Sequence, residues 1–221
     1  MTEESRERAA LCVTFERVGP DAPTLCAGRT TGELLAYILV GERRYVVSLL
    51  GMAVTPVARA AEARMRRRPW LEMIELLRTG PAWWVPGGRP GDGLDFLKLF
   101  VHHEDIRRAR SGWTPRAEGP HREETLWRAA LRLARLAYRR SSVGVVLRRP
   151  DGVSSRVRPG LEMINVIGEP GELVMHMAGR SALVTFDGDP VHIAAALRAR
   201  PRTLFGGGAR RAGPGERRRT G

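Results

Sequence analysis

Apolar side chains recur at helical spacing through the first 140 residues of the chain. In residues 2–18, Leu11, Phe15 and Val18 share one helical face, Thr2 is a candidate N-cap, and a Gly-Pro pair follows. The next helix begins with a capping box, Thr30 and Glu33, and its apolar stripe continues to about residue 53. Periodicity and helix-starting prolines predict further helices over 56–67, 70–78, 92–110 and 121–140.

Beyond residue 141 the apolar period changes from helical spacing to two, which is typical of strands. The run 149–152, Arg-Pro-Asp-Gly, predicts a tight turn between two antiparallel strands. We therefore predict strands over 143–147, 153–158, 161–167 and 182–186, a short helix over 171–179 and a final helix over 190–198.

These elements predict an α+β protein. Four main helices with short connections favour an antiparallel four-helix bundle, followed by a small mixed α/β domain. The predicted division is 1–141 for the bundle, 142–199 for the α/β domain, and 200–221 for a tail rich in arginine and glycine. The tail has too few apolar residues to bury, so we expect it to be disordered.

The net charge of +13 raises the possibility of a nucleic-acid-binding protein, but much of that charge lies at one end. Residues 200–221 contain seven arginines and one acidic residue, a net charge of +6. Such a tail attracts polyanions without sequence specificity. We therefore expect no specific nucleic-acid partner and keep nucleic-acid binding as a third alternative.

No apolar stretch is long enough to span a membrane, and the first eight residues are too charged for a signal peptide. We expect a cytoplasmic protein with no membrane span. The two cysteines, Cys12 and Cys26, lack a Cys-x-x-Cys spacing, so buried thiols are expected rather than a disulfide framework.

Lys98 is the one lysine among 37 basic residues, and it precedes His102 by one helical turn. Asp95, Lys98 and His102 fall along one stripe of the predicted helix 92–110. A carboxylate at residue 98 would complete a Glu-x-x-x-His metal pair, whereas a lysine puts positive charge where the ion would lie. The alternative is that His102 or His103 simply packs at the core margin. We expect the following charged residues, 104, 105, 107 and 108, to lie on a solvated surface.

No nucleophile elbow, phosphate loop, dinucleotide-binding fingerprint or zinc-finger spacing is present in the sequence. A hydrolase, kinase or dehydrogenase therefore has no support from motifs.

Several segments in order carry a resemblance to a known group: 8–12 (RAALC), 19–26 (GPDAPTLC), 66–70 (RRRPW), 100–108 (FVHHEDIRR), 143–152 (VGVVLRRPDG) and 170–173 (PGEL). Over roughly residues 3–198 the chain resembles the actinobacterial DinB-type proteins related to mycothiol-dependent maleylpyruvate isomerase. The resemblance implies a DinB-type four-helix bundle with a small α/β domain. It also implies a divalent, zinc-like metal that activates a low-molecular-weight thiol such as mycothiol.

The resemblance places the metal ligands at Tyr37, Lys98 and His102, of which only His102 keeps a ligand side chain. A phenol of pKa about 10 and an ammonium are both poor ligands at neutral pH. The resulting hypothesis is that this chain is a member of the group that binds little or no metal. It would bind a small molecule or thiol with little or no catalysis. The competing hypothesis is a metal-dependent thiol transferase or isomerase, with the ion held by His102 together with His103, Asp95 or water.

Overall fold

The described part of the chain combines eight helices with a four-stranded mixed sheet, so the predicted α+β class is confirmed. The computed structural model describes residues 2–26, 28–43, 56–80, 94–117, 119–199 and 205. In chain order the elements are α1 Glu3–Val18, α2 Thr31–Arg43, α3 Pro56–Met65, α4 Trp70–Thr79, α5 Leu94–Arg107, α6 Pro120–Ala137, β1 Gly144–Arg148, β2 Ser154–Arg158, β3 Met163–Ile167, α7 Pro170–Met177, β4 Thr185–Asp187 and α8 Pro190–Ala199.

The helix starts follow the predicted capping chemistry. Thr2 Oγ1 accepts a hydrogen bond from the backbone N–H of Ser5 at 3.2 Å. Thr30 and Glu33 form the reciprocal capping box, with N–H to side-chain distances of 3.1 and 3.3 Å. The predicted end of the second helix near residue 53 and the start of the fifth at residue 92 lie outside the described residues.

The sheet has the order β2-β1-β3-β4. Strands β1 and β2 form the predicted antiparallel pair, β3 runs parallel to β1 on its other side, and β4 is antiparallel to β3. Strand β4 lies three residues later than the predicted start at 182, and β3 begins at Met163 rather than at the exposed Leu161.

Helix α5 is the central element because it contributes to two hydrophobic clusters. Leu99 and Ile106 of α5 pack with α1, α2 and α4. Phe96 and Phe100 lie in the second cluster, with residues of α6, β1, β3, α7 and α8. A helix that is covered on several sides also buries its polar residues, and this property places the site described below.

Three residues predicted to be on a solvated surface are buried in α5 or just after it. Glu104, Asp105 and Arg108 are 1 %, 0 % and 6 % exposed, so that prediction is wrong for them. The reason is that α7 and the turn after it cover this end of α5 and supply oppositely charged partners. Arg107 alone of the four is partly exposed.

The two cysteines are fully buried and form no disulfide, as predicted. No helix in the described residues has the length and apolar character needed to cross a membrane. The predicted boundary near Ser141 stays a prediction. The tail lies outside the described residues except for Phe205, which packs against the second cluster.

Candidate functional site

Four consecutive polar residues of α5, 102 to 105, are buried and contact different parts of the fold. His102, His103, Glu104 and Asp105 are each at most 4 % exposed. Burying a charge is costly unless it is paired, so the partners of each residue determine what the site can do.

His102 and Asp105 form a buried imidazole–carboxylate pair. His102 Nδ1 lies 3.2 Å from Asp105 Oδ2, and Arg180 binds the same carboxylate with two parallel hydrogen bonds. Arg180 Nε donates to Oδ1 at 3.0 Å and Nη2 donates to Oδ2 at 2.9 Å. Burial by itself would raise the pKa of Asp105, but the hydrogen bonds from His102 and Arg180 outweigh it, and the pKa lies below its usual value.

The protonation of His102 follows from this geometry. Burial lowers the pKa of His102, with Asp105 opposing the shift, so the imidazole is neutral near pH 7. A carboxylate only accepts, so Nδ1 carries the proton and Nε2 carries a lone pair. Nε2 is buried and has no hydrogen-bond partner among the described residues.

The structure brings the three predicted ligand positions together. The Tyr37 ring meets the His102 ring edge-on, with centroids 5.6 Å apart. Lys98 Nζ lies 5.6 Å from the centre of the Tyr37 ring, and the Arg29 guanidinium lies 4.5 Å from it. Burial raises the pKa of Tyr37, so the phenol stays protonated at neutral pH. Two cationic side chains, Lys98 and Arg29, thus lie near the Tyr37 ring.

Lys98 is partly exposed and forms no ion pair with any carboxylate in the described ranges. Burial lowers the pKa of Lys98, while Glu42 and Asp95 oppose that shift electrostatically. Glu42 is bound by Arg8 at 2.7 Å through one oxygen, and its other oxygen, Oε2, is buried and has no hydrogen-bond partner in the described structure.

Cys26 joins His102 and Asp105 in a cluster that sequence reasoning missed. One donor atom from each of these residues lies within 4.8 Å of the others. Burial, and secondarily Asp105, raises the pKa of the Cys26 thiol to about 11. The thiol is therefore protonated at neutral pH. Asp105 follows His102 by one helical turn, so its spacing was a usable signal. Cys26 ends the segment 19–26 that carries part of the resemblance, but it lies in an irregular segment, where no periodicity relates it to α5.

These donors do not fit the metal site that the resemblance implies. Of the three implied positions only His102 offers a good ligand atom at neutral pH, because the Tyr37 phenol stays protonated and the charge of Lys98 acts on His102. Arg180 already engages both oxygens of Asp105, and the Cys26 thiol would have to lose a proton. Binding a divalent ion would thus require Asp105 and Arg180 to rearrange, and the nearby positive charges would repel the ion.

His103 and Asp95, the proposed substitute ligands, lie apart from the Cys26–His102–Asp105 cluster. Both ring nitrogens of His103 are engaged, Nδ1 with Glu7 at 2.7 Å and Nε2 with Thr14 at 2.7 Å. Glu7 is also bound by Arg116 and Arg122, and these partners outweigh burial to hold its pKa well below the usual range. Asp95 acts on Lys98 through charge.

Glu104 belongs to a separate ionic network that faces the α/β layer. Arg108 binds Glu104 at 2.8 Å and Glu172 of α7 at 2.7 and 3.1 Å. These residues line part of a cavity of about 350 Å³ between α5, α6 and the start of α7. Glu104, Arg108 and Glu172 are paired with one another, so this network links the end of α5 to α7.

The fold and the site define an α+β protein in which a neutral histidine, oriented by a carboxylate–arginine pair, contacts a tyrosine ring with two cationic side chains nearby. No protein-family model matches the chain, and no curated protein matches its sequence significantly. Among solved structures, the mycothiol-dependent maleylpyruvate isomerase matches with a TM-score of 0.54 and 16 % identity, covering 85 % of this chain and 93 % of that chain. A histidine-to-alanine mutant of that isomerase matches with a TM-score of 0.55 over the same shares. This similarity establishes the fold.

Proposed function

We propose that this chain is a DinB-like protein with a degenerate metal site, which binds a small thiol or a related small anion with little or no catalysis. The observation that carries the proposal is the position of Lys98, whose ammonium lies beside the Tyr37 ring without an ion pair in the described structure. Helices α1, α2, α4 and α5, which share one hydrophobic cluster, form the DinB-type bundle in this proposal.

The balance of charge supports an anionic ligand. Lys98 lies beside Tyr37 without an ion pair among the described residues, while Arg180 pairs with Asp105 and Arg29 pairs with Glu62 at 3.0 Å. An ammonium and a second positive unit charge roughly 5–6 Å away repel each other by about 3 kcal/mol at an effective dielectric constant near 20. A divalent ion at that distance doubles the repulsion. The same charge attracts a thiolate or carboxylate.

The class of ligand is suggested by the shared fold. The structural neighbours depend on mycothiol, so a low-molecular-weight thiol of that type is the first ligand to test. In a metal-dependent protein the ion would stabilise the thiolate. In this chain the Lys98 ammonium would supply the positive charge instead.

The proposal is tested by isothermal titration calorimetry, in which mycothiol is titrated into the protein in metal-free buffer to measure its affinity. Replacing Lys98 by Met removes the charge at similar length, so we expect about tenfold or greater loss of affinity, while Lys98→Arg retains most of it. Equal affinities in the wild type and Lys98→Met would contradict a role for the ammonium.

A second candidate function is a metal-dependent thiol transferase or isomerase, and the Cys26–His102–Asp105 cluster favours it. A thiolate, an imidazole and a carboxylate are a ligand set that zinc accepts. This candidate requires stoichiometric metal in the purified protein, lost in both Cys26→Ser and His102→Ala.

A further inference from the structure

The positive charge of the chain comes from two stretches, and one of them is folded. Residues 125–150 contain seven arginines and no acidic residue, a net charge of +7, while residues 200–221 carry +6. Because the whole chain carries +13, all its other residues together are neutral. The stretch 125–150 covers most of α6, the turn after it and β1, so its charge belongs to a defined part of the fold.

Four of these arginines form a row along one side of α6. Arg128, Arg132 and Arg135 are four and three residues apart, which places them on one helical face. Arg139 follows four residues later, in the turn after the helix, and all four residues are exposed. At 1.5 Å per residue the row is about 16 Å long. We call this row the basic face of α6.

The arginines of this face have few acidic partners. Arg128 pairs with Glu124 at 2.7 Å, whereas the other three form no ion pair with a carboxylate among the described residues. Like charges three and four residues apart on a helix repel each other, so the row does not stabilise α6. The helix dipole favours cations only in the last turn, which contains Arg135 but neither Arg128 nor Arg132. The stability of the helix therefore does not explain the row.

The opposite side of α6 is packed in the protein interior. Leu126, Ala130 and Leu133 are buried in the hydrophobic cluster that includes the sheet and α7. Of the large apolar residues of α6, only Leu136 is exposed. A helix that lies in a membrane surface inserts a whole apolar face, so α6 is not suited to binding lipid in this way.

The aromatic residues at this end of α6 are buried as well. Trp127 is 5 % exposed and Tyr138 is fully buried. Single strands and RNA loops are held largely by unpaired bases that stack on exposed aromatic rings. The basic face offers phosphate-binding groups without such rings, which favours a duplex over a single strand.

We propose that the basic face of α6 binds the phosphate backbone of double-stranded DNA without sequence specificity. A guanidinium donates two parallel hydrogen bonds to a phosphate. Duplex DNA carries one phosphate about every 3.4 Å along each strand, so a straight row of arginines faces a continuous row of acceptors. Backbone contacts carry no sequence information, so unrelated sequences bind equally well.

This inference goes beyond the proposed thiol-binding function, because it concerns a different surface. Helix α6 lies in the hydrophobic cluster with the sheet, whereas Tyr37 packs against the other cluster. Loss of DNA binding should therefore leave mycothiol affinity unchanged, and either proposal can fail without the other.

The test measures how DNA binding by the full-length protein depends on salt. Fluorescence anisotropy of a labelled random-sequence duplex gives the binding constant at several NaCl concentrations. The triple variant Arg132→Gln, Arg135→Gln and Arg139→Gln removes three phosphate contacts. The slope of log binding constant against log salt should become shallower by about 0.9 per lost contact, and affinity near 100 mM salt should fall at least about tenfold. An unchanged slope would overturn the proposal.

A second triple variant removes the same charge from other surfaces. Arg6, Arg68 and Arg78 are exposed and each pairs with a carboxylate, so changing all three to Gln should weaken DNA binding by less than about threefold. The C-terminal tail is the same in both triple variants, so their difference reports on the folded surface. Equal losses would show that net charge alone attracts DNA, and would contradict the proposal.

Two further measurements separate charge from fold and DNA from lipid. Each variant is first checked for native circular dichroism. Replacing the same three arginines of α6 by lysine keeps the charges and should keep the slope of the wild type, whereas a slope as shallow as in the glutamine variant would count against phosphate binding. Vesicles of phosphatidylcholine and phosphatidylglycerol should bind the wild type and the glutamine variant equally. A loss of vesicle binding with unchanged DNA binding would assign the face to a membrane and overturn the proposal.

Discussion

The properties of His102 depend on two neighbours, Asp105 and Arg180. The carboxylate fixes the tautomer and orientation of the imidazole, and the guanidinium compensates the buried negative charge. Groups that hydrogen-bond to one ring nitrogen of a histidine commonly control how the other nitrogen binds a ligand. The lone pair of His102 Nε2 is thus buried and has no hydrogen-bond partner among the described residues.

At the residue scale the sequence predicted the site in part. The resemblance identified Tyr37, Lys98 and His102, and the structure places their side chains next to one another. Asp105 was assigned to the surface because its partner, Arg180, is 75 residues away in sequence. Neither periodicity nor spacing reveals a contact of that kind, and the same is true of His103 with Glu7.

The buried titratable groups predict how stability depends on pH. His102 has a lowered pKa in the folded state, so the unfolded chain gains a proton first as the pH falls through about 6.5, and stability decreases. Asp105, Glu104 and Glu7 also have lowered pKa values, so their contribution is complete above about pH 4.5 and is lost as the pH falls through their folded values.

Urea unfolding at pH 7.5, 5.5 and 4.0 tests this prediction. We expect the free energy of unfolding to fall by about 1 kcal/mol between the first two pH values and more steeply below. His102→Gln should reduce the fall in the free energy of unfolding between pH 7.5 and 5.5, and it should leave the fall between pH 5.5 and 4.0 unchanged. A wild-type stability that rises from pH 7.5 to 5.5 would contradict the assignment of a neutral buried histidine.

At the scale of elements, α5 determines how the molecule is assembled. Its apolar residues enter both hydrophobic clusters, and its polar residues bind α1, α7 and the turn after α7. The helices themselves were predictable because capping residues and apolar spacing are local signals. The burial of α5 on several sides was not, since it depends on how α7 docks against it.

The ionic contact between Arg108 and Glu172 predicts a strong dependence of stability on α7 docking. Glu172→Ala leaves a buried guanidinium with fewer partners, and removal of one member of a buried pair costs about 3–5 kcal/mol. Thermal or urea unfolding measures this loss. Glu169→Ala, at an exposed position in the turn before the same helix, is the matched control and should change stability by less than about 0.5 kcal/mol. Equal effects of the two substitutions would show that the Arg108 contact contributes little.

At the scale of the whole molecule, the α+β class followed from the change in apolar period near residue 141. The sequence did not show which elements contact one another, because the ionic contacts join segments that are far apart in the chain. The fold is shared with the maleylpyruvate isomerase structures, while the residues at the implied metal positions differ from a metal-binding set.

The charge of the whole molecule predicts a separable role for its C-terminal tail. Residues 206–221 carry five arginines and one acidic residue, a net charge of +4. Deleting them after Phe205 should lower the salt concentration needed to elute the protein from heparin, because fewer cations engage the polyanion. Mycothiol affinity should not change. Undiminished retention would contradict this role of the tail and would count against nucleic-acid binding through its arginines.

The central claim is that the cation at residue 98 replaces a metal ion, and elemental analysis of purified protein tests it most directly. After equilibration with zinc and removal of unbound ion, we expect well below one zinc per wild-type chain. We also expect a clear gain in Lys98→Glu, which restores a carboxylate one turn before His102, and no gain in Lys98→Gln. Stoichiometric zinc in the wild type, unaltered by Lys98→Glu and lost in His102→Ala, would contradict the account.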